Sequence, residues 1–317
     1  MAMITIVSSG FLDRPPTEPR ETHAEVWGAL PARGGLEAEQ EDQETGDAEG
    51  WPPVHAGTFL KGLSHVAVAS VAVGGAHMVL VAEQGCAFAC GRNRRGQLGT
   101  GDLADRRDPT PLSELRSDYS DPAAGGAASF VGERDGGSAV LPPGSAWRVG
   151  AAACGLEHTL LMATRSLGGG GRGELFACGA CELLGIDACE GDQRRPQALR
   201  LVGVTAVAAR GEASCCAATA PGEGGQQGGA RLYFWGDLSC CSLPDFCPRP
   251  TALYRTPAPV RQLALGGSSG LALDAAGEVY AWGDGTYGEL GGAEEVAPAD
   301  EASCDGAENI PVPGRVP

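Results

Sequence analysis

The chain has 317 residues, 43% of them hydrophobic and only 5% aromatic, which allows a buried core and excludes a wholly disordered chain. Fifty glycines and 22 prolines favour many short strands joined by turns over long helices. The formal net charge of −17 repels phosphate backbones, so we expect protein partners and no direct contact with nucleic acid.

The first 60 residues carry two weak signals. Residues 1–30 contain strand-like stretches at 4–10 and 25–28, and the second ends in Trp-Gly. They predict a degenerate first repeat. Residues 31–60 include a stretch from Leu36 to Gly50 with seven acids and no base, which is typical of a disordered linker. An acidic segment that docks on a basic partner is the alternative interpretation.

The first clear repeat occupies residues 66–112, and the best-preserved copy lies at residues 260–317. In both, an apolar strand ends in Gly-Gly, a second strand follows, and a short turn leads to a third strand and a Gly-x-Leu-Gly loop. Sixteen residues separate Gly74 from Cys90 and Gly266 from Trp282. The signature positions of these two copies are Gly75, Gly91, Gly96, Leu98 and Gly99, and Gly267, Trp282, Gly283, Gly288, Leu290 and Gly291.

Two longer copies lie between them, at residues 147–202 and 204–260. Their extra residues fall in glycine-rich tracts at 167–173 and 221–229, where the hairpin turn belongs and insertions are tolerated. A further insert, residues 113–146, separates the first two copies. The signature positions of the longer copies are Gly155, Gly179, Gly211, Trp235 and Gly236.

The repeats predict an all-β architecture of stacked units. A unit of three or four short strands cannot bury both its faces, so each unit must use the next as its cover. A radial stack of such sheets is a β-propeller. Gly85 and Gly277 would provide the positive φ of tight hairpins, and the glycine after the third strand would allow close backbone approach.

Three segments resemble the RCC1-like repeat (regulator of chromosome condensation 1 family). They are the loop Asn93-Arg-Arg-Gly-Gln-Leu-Gly99 with Thr100-Gly-Asp102, and the strand segments 155–159 and 278–283. The resemblance implies a β-propeller, which has seven blades in the well-known members. Four clear copies and a fifth, degenerate one are visible here, so the chain is a fragment, lacks blades or closes unusually. The family's habit of completing one blade from the other terminus implies a closing role for residues 4–28.

Cysteine and histidine positions suggest little chemistry. Cys178-Gly-Ala-Cys181, with Cys189 nearby, has the spacing of a redox pair or a metal half-site. We favour a structural role, because Cys178 stands where another copy has tryptophan and no second CxxC exists. His77 and His158 recur at one repeat position, which favours a hydrogen bond to the neighbouring unit over a lining of the central channel.

No phosphate-binding loop or nucleophile elbow is present, and we predict no catalytic residue, cofactor or metal site. The sequence does not identify the binding residues. The N-terminus lacks a basic region and a cleavage site, and the apolar stretch 66–82 is too interrupted for a membrane span. We therefore expect a cytoplasmic protein, with the nucleus as an alternative, and free thiols at its twelve cysteines.

Three functions remain open. The first is a non-enzymatic interaction scaffold, since propellers present loops on rigid faces. The second, implied by the resemblance, is guanine-nucleotide exchange on a small Ras-like GTPase. The third is a regulatory domain of a larger protein such as a ubiquitin ligase.

Overall fold

The computed structural model describes the backbone of three N-terminal strands and most of the chain beyond residue 62. The described residues are 3–8, 22–28, 54–59, 63, 66–113, 115, 147–165, 173–186, 189–219, 228–239, 246–292 and 313–317. Most of the acidic stretch, the 113–146 insert and the two glycine-rich tracts lie outside them. In the described part, no helix is long and apolar enough to cross a membrane.

Three strands form an N-terminal sheet in the order β1-β2-β3 (Met3–Ser8, Thr22–Gly28 and Val54–Phe59). β2 ends in Trp27-Gly28, as a third strand of the repeat does, and β3 takes the outer position. The linker prediction for residues 31–60 is therefore wrong at its end, where Val54–Phe59 pairs with β2. A composition-based assignment misses such a strand because the pairing that stabilises it comes from residues about 30 positions away.

Four sheets of four antiparallel strands follow, each in chain order from its first strand to its fourth. Blade 1 has β4 (Val68–Val73), β5 (His77–Ala82), β6 (Ala87–Gly91) and β7 (Arg106–Pro111). Blade 2 has β8 (Trp147–Cys154), β9 (His158–Arg165), β10 (Glu174–Gly179) and β11 (Gln193–Val202), with a 3-10 turn at Cys181–Leu183. Blade 3 has β12 (Val204–Arg210), β13 (Ala213–Thr219), β14 (Ala230–Asp237) and β15 (Phe246–Thr256). Blade 4 has β16 (Val260–Leu265), β17 (Ser269–Asp274), β18 (Val279–Gly283) and β19 (Gly314–Arg315).

The blades pack face against face in sequence order. The first strand of each later blade, β8, β12 or β16, lies against the first two strands of the blade before it. Each interface buries an apolar layer; between blades 3 and 4, for example, Phe234 meets Trp282 edge-on with ring centroids 5.5 Å apart. The prediction of an all-β propeller with four clear copies is confirmed, and each sheet coincides with one predicted unit.

The fourth strand of blade 4 comes from the chain's own C-terminal residues. Ala281 pairs with Gly314 and Tyr280 with Arg315. Within the predicted closing segment 4–28, the described strands β1 and β2 pair with each other instead. Of the two interpretations of the N-terminal strands, the observed pairing matches a degenerate repeat and differs from a strand that completes blade 4.

Candidate interaction surface

Two buried histidines connect successive blades. His77 Nε2 of blade 1 lies 2.9 Å from Thr159 Oγ1 of blade 2, and Thr159 donates its hydroxyl proton to the Gln97 carbonyl at 2.7 Å. Thr159 must therefore accept from His77, which places the imidazole proton on Nε2. His158 Nε2 of blade 2 lies 2.7 Å from Ser214 Oγ of blade 3. The predicted structural role of these histidines is confirmed, and they are unavailable to a ligand.

Burial keeps both imidazoles neutral. It lowers the pKa of His77 to about 4 and that of His158 to about 3. The glycine three residues before each histidine lies under its ring. A Cβ on Gly74 would come within 2.7 Å of the His77 ring, and a Cβ on Gly155 would overlap with the His158 ring. The Gly-x-x-His spacing thus has a steric cause.

The interface between blades 3 and 4 has neither the histidine nor the glycine of this arrangement. Blade 3 has Ala213 in the histidine slot, and Arg210 replaces the glycine that the ring would require. Gly270 of blade 4, which has no hydroxyl, stands where Thr159 and Ser214 hydrogen-bond to the imidazoles. Arg210 instead donates from Nη1 to the Gly266 carbonyl at 2.9 Å. Apolar packing and this hydrogen bond join blades 3 and 4 where a histidine joins the others.

The signature glycines occupy two kinds of position. Four follow the first strand of a blade: Gly75, Gly155, Gly211 and Gly267. Four lie at or one residue before the end of a third strand with positive φ, and a Cβ there would overlap with a backbone carbonyl of the turn before the second strand: Gly91, Gly179, Gly236 and Gly283. Gly85 and Gly277 both have φ of +89°, as the hairpin turns predict. The signature glycines therefore have a structural role in the blades, which their positive φ or close backbone contacts explain.

The residue before the third-strand glycine faces the loop of the preceding blade. Cys178 Sγ lies 3.6 Å from the Gln97 carbonyl of blade 1, and Trp235 donates from Nε1 to the Leu183 carbonyl of blade 2 at 3.1 Å. Burial raises the pKa of the Cys178 thiol. Cys181 points elsewhere and donates to the Cys189 carbonyl at 3.0 Å. Cys178 and Cys181 therefore lie in separate environments, and no group of three metal-ligating residues occurs in the described part of the chain.

The loop after the third strand of blade 1 is stabilised by hydrogen bonds of its own Asn93 and is covered by residues of blade 2. Buried Asn93 accepts the Leu98 N–H at 3.0 Å and donates to the Asp102 carbonyl at 3.0 Å. Gly101 donates its N–H to the Arg194 carbonyl of blade 2 at 2.8 Å. The signature residues Gly96, Leu98 and Gly99 lie in this covered loop, with Gly96 against the Arg194 backbone and Gly99 against Cys178.

Arg95 anchors the same loop electrostatically, a role that the sequence motif did not reveal. Its guanidinium contacts Asp192 through Nε at 2.5 Å and Nη2 at 3.0 Å, and Glu182 through Nη2 at 2.8 Å. Both carboxylates belong to blade 2, so one arginine bridges two blades. The neighbouring Arg94 is exposed and has no such partner among the described residues.

Blade 4 carries the equivalent loop uncovered. Tyr287 stands at the position of Arg95 and is 89% exposed. A Cβ on Gly288, the counterpart of Gly96, would meet no atom within 4 Å. Leu290 is buried, as Leu98 is, and Gly291 follows it with φ of +60°. The loop keeps its internal shape but lacks the neighbouring strand that covers it in blade 1.

The sheet face beside this loop is also uncovered. We define the forward face of a blade as the side chains that point toward the following blade. In blade 1 the forward residues Val79, Val81 and Ala87 are buried by blade 2. Pairing places the forward residues of blade 4 in two adjacent rows: Ala264, Leu271 and Ala281, and Gln262, Leu273 and Val279. Ala264, Leu271 and the polar Gln262 are exposed, Leu273 and Val279 are half-buried, and Ala281 is buried.

Comparison with family models identifies the repeat. A model described as the regulator of chromosome condensation (RCC1) repeat matches residues 84–131, and a second of the same description matches residues 68–97 and 260–289.

Two curated relatives share moderate identity with the chain. It is 28% identical over 232 residues to the bovine "Secretion-regulating guanine nucleotide exchange factor", covering 68% of this chain and 40% of that protein. It is 28% identical over 144 residues to the human "Probable E3 ubiquitin-protein ligase HERC3", covering 45% of this chain and 10% of that protein. The chain therefore spans less than half the length of either relative.

Solved structures agree on the fold. The crystal structure of Prp20p from Saccharomyces cerevisiae superimposes with a TM-score of 0.55 at 18% identity, over 94% of this chain and 60% of that one. Yeast RCC1 (Prp20) bound to Kap60 gives a TM-score of 0.54, also at 18% identity, over 94% of this chain and 58% of that one. The Prp20p structure was described together with the binding of that protein to Gsp1p and histones.

Stacked four-stranded blades with a recurring glycine signature define a β-propeller repeat protein. The matched repeats specify the type: the chain is an RCC1-like β-propeller carrying RCC1 repeats.

Proposed function

We propose that the protein is a non-catalytic interaction scaffold whose docking surface is the forward face of blade 4 with the adjoining loop at residues 284–292. The observation that carries this proposal is the row of apolar side chains that the described chain leaves uncovered there. An exposed apolar surface whose counterparts in the other blades pack against a neighbouring sheet is typical of an interface.

The chemistry of the interior supports a scaffold. His77, His158 and Cys178 are buried, and each contacts a neighbouring blade. Burial raises the pKa of Cys90 and Cys154 to about 12, so these thiols stay protonated and unreactive. These buried histidine and cysteine side chains thus serve packing.

Affinity purification with quantitative mass spectrometry tests the scaffold. We expect stable partners with the unaltered chain and their loss with Leu271→Glu, which places a charge on the forward face. Leu103→Glu is the matched control, because Leu103 is 40% exposed on blade 1 and Leu271 is 41% exposed on blade 4. Equal partner recovery from both variants would contradict the assignment of the docking surface. The absence of any stable partner of the unaltered chain would contradict the scaffold itself.

Guanine-nucleotide exchange on a small Ras-like GTPase is the second candidate. The similarity to the bovine exchange factor over 68% of this chain favours it. A propeller can promote exchange without acid–base chemistry, by binding the nucleotide-free GTPase more tightly than the loaded form. The assay is release of a fluorescent nucleotide from a panel of small GTPases. Acceleration for one GTPase supports exchange, and an unchanged rate across the panel opposes it.

The third candidate, a regulatory part of a larger protein, is favoured by the match to 144 residues of a probable ubiquitin ligase. We place the protein in the cytoplasm, with the nucleus as the alternative. Imaging of the tagged chain distinguishes the two compartments.

A further inference from the structure

We propose that Cys181 and Cys189 form a reversible disulfide, which makes the loop after the third strand of blade 2 a site of thiol oxidation. This loop joins β10, which ends at Gly179, to β11, which begins at Gln193. The site lies on blade 2 and is therefore independent of the docking surface on blade 4.

The first argument is the proximity of the two side chains. Cys181 donates from Sγ to the Cys189 carbonyl at 3.0 Å, and the two thiols also interact with each other. Both cysteines are free in this structure. A disulfide requires two sulfur atoms at about 2.05 Å. Because the Cys181 side chain already contacts the other cysteine, a small rearrangement of the loop is enough to bring the two sulfurs together.

The second argument is accessibility. Five other described cysteines are almost fully buried, out of reach of an oxidant in solution: Cys90, Cys154, Cys178, Cys215 and Cys216. Cys181 and Cys189 are half-buried, so a small oxidant can reach them. Cys86 and Cys247 are half-buried as well, but they lie on blades 1 and 3. Within the described part of the chain, Cys181 and Cys189 are thus the accessible thiols that share one loop.

Polar contacts determine which sulfur reacts first. Burial, and after it the neighbouring Cys189, raise the pKa of the Cys181 thiol to about 12, so Cys181 stays protonated. The Cys189 sulfur accepts an N–H from Gln193 Nε2 at 3.4 Å, and its own thiol is directed to the Gly191 carbonyl at 3.5 Å. The Gln193 amide stabilises negative charge on this sulfur once the proton has left. The first attack therefore belongs to Cys189.

The oxidant is a peroxide, and hydrogen peroxide balances the reaction. The Cys189 thiolate attacks one peroxide oxygen, the O–O bond breaks, and the released hydroxide takes up a proton to become water. Cys189 is then a sulfenic acid and no longer raises the pKa of Cys181. Cys181 loses its proton and attacks the oxidised sulfur, so the S–S bond forms and a second water leaves. Two molecules of a small thiol reduce the bond again and leave as their own disulfide.

The disulfide would stabilise the contact between blades 1 and 2. Cys181 donates its N–H to Asp192 Oδ1 at 3.2 Å, and Glu182 follows it directly in the chain. Asp192 and Glu182 both bind the guanidinium of Arg95 from blade 1. A covalent bond within this loop restricts the conformations of the unfolded chain and limits the movement of both carboxylates. Oxidation is therefore expected to hold blade 2 more firmly to blade 1.

Peptide mass spectrometry of the full chain tests the site. Treatment with hydrogen peroxide, followed by alkylation of the remaining thiols in denaturant, should leave Cys181 and Cys189 linked and Cys178 alkylated. Cleavage before Asp187 places the two linked cysteines on separate peptides, which dithiothreitol then releases from each other. The absence of this link, or a link from Cys178 to either cysteine, would overturn the proposal.

Serine variants test the order of reaction. In Cys181→Ser, oxidation should stop at a sulfenic acid on Cys189, which dimedone traps as an adduct. Cys189→Ser should give no dimedone adduct on Cys181, because the thiol there stays protonated. An adduct on Cys181 would overturn the assignment of the first attack.

The thermal midpoint tests the structural consequence. Peroxide should raise the midpoint of the unaltered chain by roughly 5 °C, and dithiothreitol should reverse the increase. Cys181→Ser and Cys189→Ser should both lose this response. Cys247→Ser is the matched control, because it removes a half-buried thiol from blade 3 and should keep the response. A midpoint of the unaltered chain that does not change with oxidation would overturn the stabilising role.

Discussion

At the scale of single residues, the identity of one side chain determines what is allowed three positions away. Gly74 precedes His77 and Gly155 precedes His158, because each ring occupies the space of a Cβ. Where the slot holds Ala213, the preceding position tolerates Arg210, a residue that could not lie under an imidazole. These two glycines therefore meet a steric requirement of the histidine that follows each of them.

Replacement of the glycine that ends a third strand should be severely destabilising. Gly179 has φ of +117°, and a Cβ there would overlap with the Glu157 carbonyl and lie 2.7 Å from the His158 Cα. We expect Gly179→Ala to lower the free energy of unfolding by more than ~3 kcal/mol, because backbone strain and a clash add together. Urea unfolding followed by tryptophan fluorescence measures the change.

The matched control is Gly277→Ala. Gly277 also has positive φ, of +89°, but no atom lies within 4 Å of its hypothetical Cβ. This variant should lower the free energy of unfolding by about 1 kcal/mol, the cost of placing alanine at positive φ without a clash. Similar losses for the two alanine variants would show that the close approach at Gly179 is unimportant.

At the scale of the elements, blades are joined by a few buried polar contacts set in apolar layers. His77 connects blade 1 to blade 2, and His158 connects blade 2 to blade 3. Both histidines have a folded-state pKa below the ordinary value, to about 4 and about 3. The unfolded chain therefore binds protons at these sites at a pH where the folded chain does not.

Stability should consequently decrease as the pH falls from about 6.5 to about 4. Over this window the unfolded state takes up protons at both histidines, so the free energy of unfolding declines with decreasing pH. His158→Asn should be less stable at pH 7 and should show a shallower decline, because one of the two sites is gone. Equilibrium unfolding at several pH values measures both slopes; identical slopes would contradict the role assigned to His158.

The ion pairs of Arg95 are a second kind of polar contact between blades 1 and 2, and they can be tested separately. Arg95→Ala removes the contacts to Asp192, Glu182 and Glu157 and leaves three carboxylates close together on blade 2. We expect a lower unfolding midpoint at low salt and a smaller loss in 1 M salt, where the remaining repulsion is screened. Arg94→Ala, which lacks these partners, should leave the midpoint unchanged at both salt concentrations. A salt-independent loss in Arg95→Ala would indicate that packing dominates.

At the scale of the whole molecule, the repeat is not uniform, because no described sheet packs against the forward face of blade 4. Val79 of blade 1 and Leu271 of blade 4 occupy the same repeat position, yet their exposures are 0% and 41%. An aliphatic residue at the same place in the pattern thus lies in the core in one blade and at the surface in the other.

Replacing each of these two residues by alanine should distinguish the buried position from the exposed one. Val79→Ala should cost about 2 kcal/mol, because it leaves a cavity between blades 1 and 2. Leu271→Ala should cost less than ~1 kcal/mol, because the Leu271 side chain is 41% exposed and its truncation leaves no closed cavity. Comparable losses would mean that the forward face of blade 4 is covered within a single chain.

The sequence alone determined the repeat units, their strand order and the all-β fold, because glycine turns and alternating apolar residues act within each unit. It also determined the structural role of His77 and His158, since their recurrence with the repeat indicated a contact made once per blade. Tertiary structure decided the rest. The strand at Val54–Phe59, the contacts of Arg95 with acids nearly 100 residues away, and the open face around Leu271 depend on which distant segments meet. The pattern of a repeat specifies the faces that each unit offers, whereas only the folded chain determines which of those faces are covered.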